Sequence, residues 1–197
     1  MATRNGPKRD AGETADRIRM HARLVFCEKG YDLATTREIA DRAHVNVALI
    51  NRYFGSKLGL FEDAVVSVLS LEPFLEGPLE TLGVRMADFY VDARPKDGFD
   101  PFVTLLRSVA SDEAGPVLLK ALKRQALDPL SKAMNGTDTA ARATLLTTQM
   151  AGLIVKFRIF GLEPETDNER EAIRAMLRRY FTLLVDGDSQ KDQSGGP

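Results

Sequence analysis

Residues 35–57 read TTREIADRAHVNVALINRYFGSK and contain two short helical patterns separated by a tight turn. Thr35 with Glu38 three residues later matches a capping box, which predicts a short helix from Thr36 to Ala43. A three-residue turn follows, and its last residue, an asparagine, is a suitable N-cap for a second short helix from Val47 to Tyr53. The stretch therefore predicts two helices joined by a turn.

A longer helix is predicted on each side of this pair. Apolar side chains recur at helical spacing from about Glu13 to Lys29, and Gly30 provides a C-terminal stop. Ser56 caps a further helix from Lys57 to about Leu71. Two short helices supported in this way have the geometry of a helix-turn-helix DNA-binding domain, whose second short helix enters the major groove.

One face of the second short helix suits close approach to DNA bases. At about 100° per residue, the side chains on this face are Val47, Ala48, Asn51 and Arg52. Ile50 and Phe54 are expected to turn toward the supporting helices. An asparagine suits adenine, an arginine suits guanine, and small apolar groups suit the methyl of thymine.

The composition is that of an ordinary globular protein. The chain has 197 residues, of which 44% are hydrophobic and 28% charged, which excludes the disordered and fibrous classes. Cys27 is the single cysteine, so an intrachain disulfide and a thiolate zinc site are excluded, and we expect a small core residue there. The polar start and the lack of about 20 successive apolar residues predict a cytoplasmic protein without a membrane span. No metal or cofactor is expected.

Charge is distributed unevenly along the chain. The first 60 residues contain eleven Lys/Arg and seven Asp/Glu, a net charge of +4, and the remainder carries a net charge of -5. A basic head on an acidic body indicates a polyanionic partner for the head. Solvated helix faces also produce smaller imbalances of this kind.

The rest of the chain also shows helical periodicity, so the predicted fold class is all-α with about nine helices. Further helices are expected at roughly 79–93, 101–112, 114–135, 138–161 and 167–186, with turns at 94–98, 135–136 and 161–166. We expect a DNA-binding domain over residues 1–57, a helical body over 58–186 and a disordered tail over 187–197. The arm 1–12 carries Arg4, Lys8 and Arg9, which suit either a solvated tail or a minor-groove contact.

Several strings in this sequence resemble the TetR/AcrR family of transcriptional regulators. They are Phe26-x-Glu28-Lys29-Gly30-Tyr31, the run Thr35 to Ala43, Val45-Asn46, Tyr53-Phe54-Gly55-Ser56-Lys57 and Leu60-Phe61. The body resembles the family's ligand-binding domain only in helix layout and in pieces such as Leu105-Leu106-Arg107-Ser108 and Gln149-x-x-Gly152-Leu153. His44 departs from the usual glycine of the turn and must tolerate a left-handed conformation or a changed turn. Further departures are Val47, Leu49, Asn51, Leu58 and Gly59, which bear on the operator sequence.

The resemblance implies roles for individual residues. Thr36 and Lys57 match phosphate contacts at helix N-termini, and Arg37 occupies a site that reads a base in some members. Tyr53 matches a phosphate-contacting aromatic residue, although a half-buried packing role also fits. The predicted DNA-contacting set is Thr35, Thr36, Arg37, Asn46, Val47, Ala48, Asn51, Arg52, Tyr53 and Lys57.

The resemblance also implies a ligand cavity and a dimer interface in the body. Candidate cavity residues are Met86, Phe89, Tyr90, Phe102, Leu106, Met150 and Ile154, with Arg107 as a polar anchor; the same side chains also suit plain core. Candidate interface residues on the last two long helices are Leu145, Leu153, Phe157, Ile173, Leu177, Tyr180, Phe181 and Leu184. Alternatively, these two helices only close the core of a monomer.

The function expected from these features is that of a homodimeric repressor. It would bind a palindromic operator in double-stranded DNA and be released by a small, largely apolar effector. One alternative is a DNA-binding regulator that answers to a protein partner, or that activates, without a small-molecule effector. Another is an enzyme on a helical bundle, but the sequence shows no nucleophile elbow, phosphate loop or metal cluster.

Overall fold

Helices form all the regular secondary structure in residues 7–92 and 97–187, the parts of the chain that the computed structural model describes. They are α1 (Pro7–Leu33), α2 (Thr36–Arg42), α3 (Ala48–Phe54), α4 (Lys57–Ala64), α5 (Glu72–Leu75), α6 (Leu82–Asp92), α7 (Pro101–Ser108), α8 (Ala114–Leu122), α9 (Asp128–Ala133), α10 (Thr139–Ile154) and α11 (Asp167–Asp186). A π-helical turn makes α8 and α9 continuous, and α5 is a single turn. On this count the described residues form nine helices, and the predicted all-α class is confirmed.

Short 3-10 and π-helical turns account for several differences from the predicted boundaries. Val66–Val68 and Leu79–Thr81 are 3-10 turns, and Lys123–Leu127 and Val155–Ile159 are π-helical turns. The predicted helices 114–135 and 138–161 therefore each contain a π-helical turn. The last helix, α11, has the predicted bounds.

Side-chain caps fix the starts of the short helices as the sequence predicts. The Oγ1 of Thr35 accepts the N–H of Glu38 at 3.1 Å, and the Oγ of Ser56 accepts the N–H of Gly59 at 3.0 Å. The Oδ1 of Asn46 accepts the N–H of Ala48 at 2.9 Å, and α3 begins at Ala48, one residue later than predicted. These bonds satisfy amide groups that have no partner within the helix.

The supporting helices differ from the prediction at their ends. The first helix begins at Pro7 rather than Glu13, so the part of the predicted arm over 7–12 is helical. Gly30 interrupts this helix with φ 73° and ψ 179°, as its predicted role as a stop requires. The helix α4 ends at Ala64 rather than Leu71, because the β-branched residues of the following VVSV stretch favour a helix less. Residues 1–6 of the arm, 94–96 of the predicted turn and 188–197 of the predicted tail lie outside the described residues.

The first compact unit comprises residues 7–68 and 97–119. Its core holds three packed aromatic rings: Phe61 lies 4.9 Å from Phe26 and 5.1 Å from Tyr31, measured between ring centroids. Ile39 of α2 and Ile50 of α3 are fully buried in this unit. Cys27 is buried as predicted, and its sulfur accepts the N–H of Asp100.

The second compact unit comprises residues 69–92 and 120–187. Its core lies mainly between α6 and α11, and it includes the buried side chains Met86, Tyr90 and Phe181. Residues 97–119, with α7, belong to the first unit, whereas the predicted boundary places them in the body. Among the described residues, no helix combines the length and the apolar character needed to cross a bilayer.

Candidate nucleic-acid interface

Arg17 and Arg23 of α1 support the helix-turn-helix through bonds to backbone carbonyls. The Nε of Arg17 donates to the carbonyl of Ala43 at 2.9 Å, and the Nε of Arg23 donates to the carbonyl of Ala64 at 2.9 Å. Charge-assisted bonds of this kind satisfy carbonyls at the ends of α2 and α4. These cations therefore fix the positions of the short helices.

Arg19 of α1 also supports α3, the second helix of the helix-turn-helix and the one expected to read the DNA bases. It forms an ion pair with Asp63 at 2.5 Å, and its guanidinium lies 5.8 Å from the ring centroid of Phe54 in α3. The hydrogen bond from Arg19 to Asp63 is the main reason that the pKa of Arg19 is raised. Arg19 therefore links α1 to both α3 and α4.

A second ionic cluster joins α1 to α2. Arg42 contacts both carboxylate oxygens of Glu28, at 2.9 and 2.7 Å, and one oxygen of Glu38 at 2.9 Å. Lys29 pairs with the other oxygen of Glu38 at 2.7 Å. The hydrogen bond from Arg42 lowers the pKa of Glu28, and that from Lys29 lowers the pKa of Glu38. Because its carboxylate binds these two cations, Glu38 does not complete the reciprocal half of the capping box.

Arg37 and Arg52 are the outward-facing arginines of α2 and α3. Both are exposed, and neither forms an ion pair or a side-chain hydrogen bond with any part of the chain that the structure describes. The predicted base-reading arginines thus have guanidinium groups that make no bond to the side chains and backbone described for this domain.

The face of α3 has the orientation that helical periodicity predicts. Val47 is 41% exposed, and Ala48, Asn51 and Arg52 are also exposed. Ile50 is fully buried and Phe54 is half-buried. The exposed face spans about 140°, which follows from the 100° step between these positions.

The turn before α3 has the left-handed residue that its sequence requires. His44 has φ 51°, a conformation that glycine adopts more easily. The N–H of His44 donates to the carbonyl of Asp41, and the N–H of Val45 donates to that of Ala40. A left-handed residue at this point lets the chain leave α2 in a tight turn.

Four other predicted contact residues lie near the ends of α2 and α3. The side chains of Thr35 and Asn46 cap α2 and α3, and Thr36 is half-buried. Tyr53 is half-buried, with its ring centroid 6.3 Å from that of Phe54. Both interpretations of Tyr53, as a packing residue and as a phosphate contact, fit this position.

Lys57 has a packing role that the sequence did not reveal. Its ammonium lies 4.3 Å from the ring centroid of Tyr31 and donates to the carbonyl of Asp32 at 3.3 Å. Burial lowers the pKa of Lys57. The side chain therefore joins the start of α4 to the end of α1.

The candidate ligand residues divide between the two compact units. Met86, Phe89, Tyr90, Met150 and Ile154 belong to the second unit, and Phe102, Leu106 and Arg107 belong to the first. The predicted anchor Arg107 donates to the carbonyls of Cys27 and Glu28, so it supports α1.

A different arginine lies beside the aromatic candidates of the second unit. The guanidinium of Arg158 is 5.6 Å from the ring centroid of Phe89 and 5.7 Å from that of Tyr90. It occupies the π-helical turn after α10, a feature that periodicity alone does not predict.

The predicted dimer-interface residues divide between the core and the surface of the chain. Phe157, Leu177, Phe181 and Leu184 are at most 8% exposed, so they belong to the core of the protomer. Leu145 and Tyr180 are exposed, and Leu153 and Ile173 are half-buried. Met176 and Leu183, which the predicted set omits, are each 62% exposed. The 3-4-3 spacing of residues 173, 176, 180 and 183 places them on one face of α11.

Family models match both parts of the chain. The model described as tetracyclin repressor-like, C-terminal domain matches residues 80–184, more than half of the chain. The model described as bacterial regulatory proteins, tetR family matches residues 18–64, which include the helix-turn-helix. The chain belongs to the TetR family. This TetR-family protein is a DNA-binding transcriptional regulator and not an enzyme.

Individual relatives agree with this assignment. The chain is 42% identical over 69 residues to the protein named "Probable HTH-type transcriptional regulator YttP" of Bacillus subtilis (strain 168), and the match spans 35% of this chain and 30% of that relative. A TetR-family regulator from Streptomyces coelicolor A3 is similar in structure, with 22% identity, a TM-score of 0.54 and coverage of 94% of this chain and 99% of that one. NalD of Pseudomonas aeruginosa, the secondary repressor of the MexAB-OprM multidrug efflux pump, has 18% identity, a TM-score of 0.64 and coverage of 87% and 97%. The two structural similarities show a shared TetR-family fold.

Proposed function

We propose that this protein is a homodimeric repressor that binds a palindromic operator and is released by a small, largely apolar ligand. The observation that carries the proposal is the exposed α3 face, with Asn51 and Arg52 free to meet base edges. As a regulator bound to the chromosome, it acts in the cytoplasm.

Sequence readout comes from α2 and α3. Arg37 and Arg52 are suited to guanine and Asn51 to adenine, since these side chains match the hydrogen-bonding edges of those bases in the major groove. Thr36, Tyr53 and Lys57 lie near helix ends and contact phosphates, which fixes the register on the duplex without reading sequence. For Lys57, such a contact requires its ammonium to leave the Tyr31 ring, or to share it with a phosphate.

Dimerisation occurs through the exposed apolar surface of α10 and α11. Exposed apolar patches of this kind usually mark a site that another surface covers. The apolar row comprises Leu145, Met176, Tyr180 and Leu183, which are exposed, and Leu153 and Ile173, which are half-buried. A two-fold axis through the row presents two copies of α3, and half-sites one helical turn apart, about 34–36 Å, follow from such a dimer.

The effector site lies in the second unit, around the half-buried ring of Phe89. Phe89 packs against Phe74 at 4.9 Å and against Tyr90 at 5.1 Å between centroids, with Arg158 alongside. A ligand that binds better to the conformation with wrongly spaced α3 helices shifts the dimer away from its operator. NalD, which has a similar fold, is a repressor, and this supports repression as the sign of regulation.

Selection of duplexes from a random-sequence library by the native chain tests the proposal. We expect a two-fold symmetric consensus bound at least 1,000-fold more tightly than its scrambled version, about 4 kcal/mol. Asn51→Ala should reduce discrimination at one symmetric pair of positions by roughly 5- to 150-fold, about 1–3 kcal/mol. Lys132→Ala, at an exposed lysine of α9, is the matched surface control and should leave the consensus unchanged. Equal affinity of the native chain for consensus and scrambled DNA would contradict the proposal.

A further inference from the structure

The first turn of the reading helix presents methyl groups to the outside. Val47 is 41% exposed and Ala48 is exposed, whereas Leu49 is half-buried and Ile50 fully buried. The two outermost side chains at the start of α3 are thus both aliphatic and small.

Two polar side chains that precede α3, those of Asn46 and Arg42, are already used within the domain. The amide oxygen of Asn46 accepts the N–H of Ala48, and Arg42 binds Glu28 and Glu38. The polar groups left exposed on α3 are Asn51 and Arg52, which lie one turn further along the helix. The start of α3 therefore meets DNA through apolar contact.

We propose that Val47 and Ala48 read the 5-methyl groups of thymines in the operator, so that each half-site contains T·A pairs opposite the start of α3. This inference rests on the proposed function, because it names what the α3 face selects. Thymine is the only base with a methyl group in the major groove, and apolar side chains recognise it by excluding water.

The two side chains contact different base pairs. Consecutive helical residues project about 100° apart, so Val47 and Ala48 point to separate positions along the groove. Asn51 and Arg52, one turn further along α3, read neighbouring pairs of the same half-site. The predicted half-site thus combines methyl contacts at one end with polar readout beside them.

Uracil substitution tests this inference without altering the protein. Uracil keeps the base-pairing edge of thymine and lacks only the methyl. In the selected consensus duplex, each thymine is replaced in turn by uracil, symmetrically in both half-sites, and the affinity of the native chain is measured. Replacing a contacted thymine should weaken binding roughly fourfold per methyl, from about 0.8 kcal/mol for each buried carbon group. Replacing a thymine whose methyl touches neither Val47 nor Ala48 should change the affinity by less than about 1.5-fold, because no apolar surface is buried there.

The protein side of the test uses valines that differ in position. Val47→Ala should weaken the uracil effect at one thymine of each half-site and leave the effect at the other thymines unchanged. Val68→Ala, at a valine that is 37% exposed in the turn after α4, is the control and should retain the full uracil pattern. A cytosine at the contacted position should weaken binding, and 5-methylcytosine there should recover part of the loss because it restores the methyl.

The outcomes separate this inference from the proposed function. If no consensus is selected, the proposed sequence-specific regulator is wrong. If a consensus is bound selectively but uracil matches thymine at every position, the regulator stands and the methyl-reading inference is overturned. Uracil sensitivity that persists unchanged in Val47→Ala and in Ala48→Gly would also overturn it, provided that both variants retain native circular dichroism.

Discussion

Replacing Gly30 by alanine should destabilise the DNA-binding unit, because Gly30 joins α1 to α7 in a conformation that other residues avoid. Its φ of 73° and ψ of 179° lie in a region occupied almost only by glycine. A Cβ built on Gly30 lies 2.7 Å from the carbonyl oxygen of Arg107. This oxygen belongs to the backbone of α7, so it cannot rotate away.

The size of the effect follows from these two features. A strained backbone conformation of this type costs about 1–3 kcal/mol, and relief of the contact requires α7 to shift. Such a shift also weakens the bond from the N–H of Tyr31 to the Oγ of Ser108, now 3.0 Å. We expect a total loss of roughly 2–4 kcal/mol in the free energy of unfolding. At roughly 2–4 °C per kcal/mol for a chain of this length, Tm falls by about 4–16 °C.

Unfolding by guanidinium chloride, followed by far-UV circular dichroism, measures the change. One protein concentration is used throughout, because the proposed dimer would make stability depend on concentration. Gly12→Ala is the matched control, since Gly12 lies in the same helix with no atom within 4 Å of a built Cβ. That variant should gain up to about 1 kcal/mol from the better helix propensity of alanine. Equal unfolding midpoints for Gly30→Ala and the native chain would refute the close approach of α1 and α7.

Three further perturbations address the ionic clusters and the exposed surface. Glu28→Gln should lower stability at pH 7 by less than about 1 kcal/mol, since the site is solvent-exposed. Because the pKa of Glu28 is lowered in the folded chain, its carboxylate stabilises the fold above the unfolded pKa near 4.3, and this contribution disappears as the pH falls through the folded pKa. A stability difference between Glu28→Gln and the native chain that grows in acid would contradict this role of Glu28. Arg142→Ala removes donors to the carbonyls of Leu184 and Val185, at 3.1 and 2.9 Å, and should lower the free energy of unfolding by about 2 kcal/mol. The control Lys132→Ala should change it by no more than about 0.5 kcal/mol. Similar thermal midpoints for the two variants would contradict a stabilising role for these Arg142 bonds. Met176→Glu with Leu183→Glu should give a folded monomer in sedimentation velocity, and a persistent dimer would move the interface elsewhere.

Local features of the fold were predictable from the sequence because they depend on neighbouring residues. The caps at Thr35, Asn46 and Ser56 and the interruption at Gly30 are all present. Helical periodicity also predicted which side of α3 is buried. The predicted end of α4 was wrong. The apolar pattern continues through Val65 and Val66, but a 3-10 turn over Val66–Val68 follows the end of the helix.

Contacts between distant parts of the chain could not be predicted in this way. The association of α7 with α1 depends on Arg107 reaching carbonyls about 80 positions earlier in the sequence. Lys57 matched a phosphate contact by its position, and only the fold shows its ammonium over the Tyr31 ring.

The division of apolar residues between core and surface was also beyond the sequence. Phe181 and Leu183 are both apolar residues of α11, yet Phe181 is fully buried and Leu183 is 62% exposed. Burial depends on where α6 packs against α11, and the periodic pattern does not give the rotation of the helix about its axis. The DNA-contacting, ligand and dimer roles of the predicted residues remain predictions for experiment.

Sedimentation equilibrium of the chain with its selected duplex shows how many chains bind one operator. We expect two chains on the full palindrome, bound cooperatively, and much weaker binding to a duplex that carries a single half-site. One chain on the full palindrome, with unchanged affinity for the half-site, would contradict this expectation.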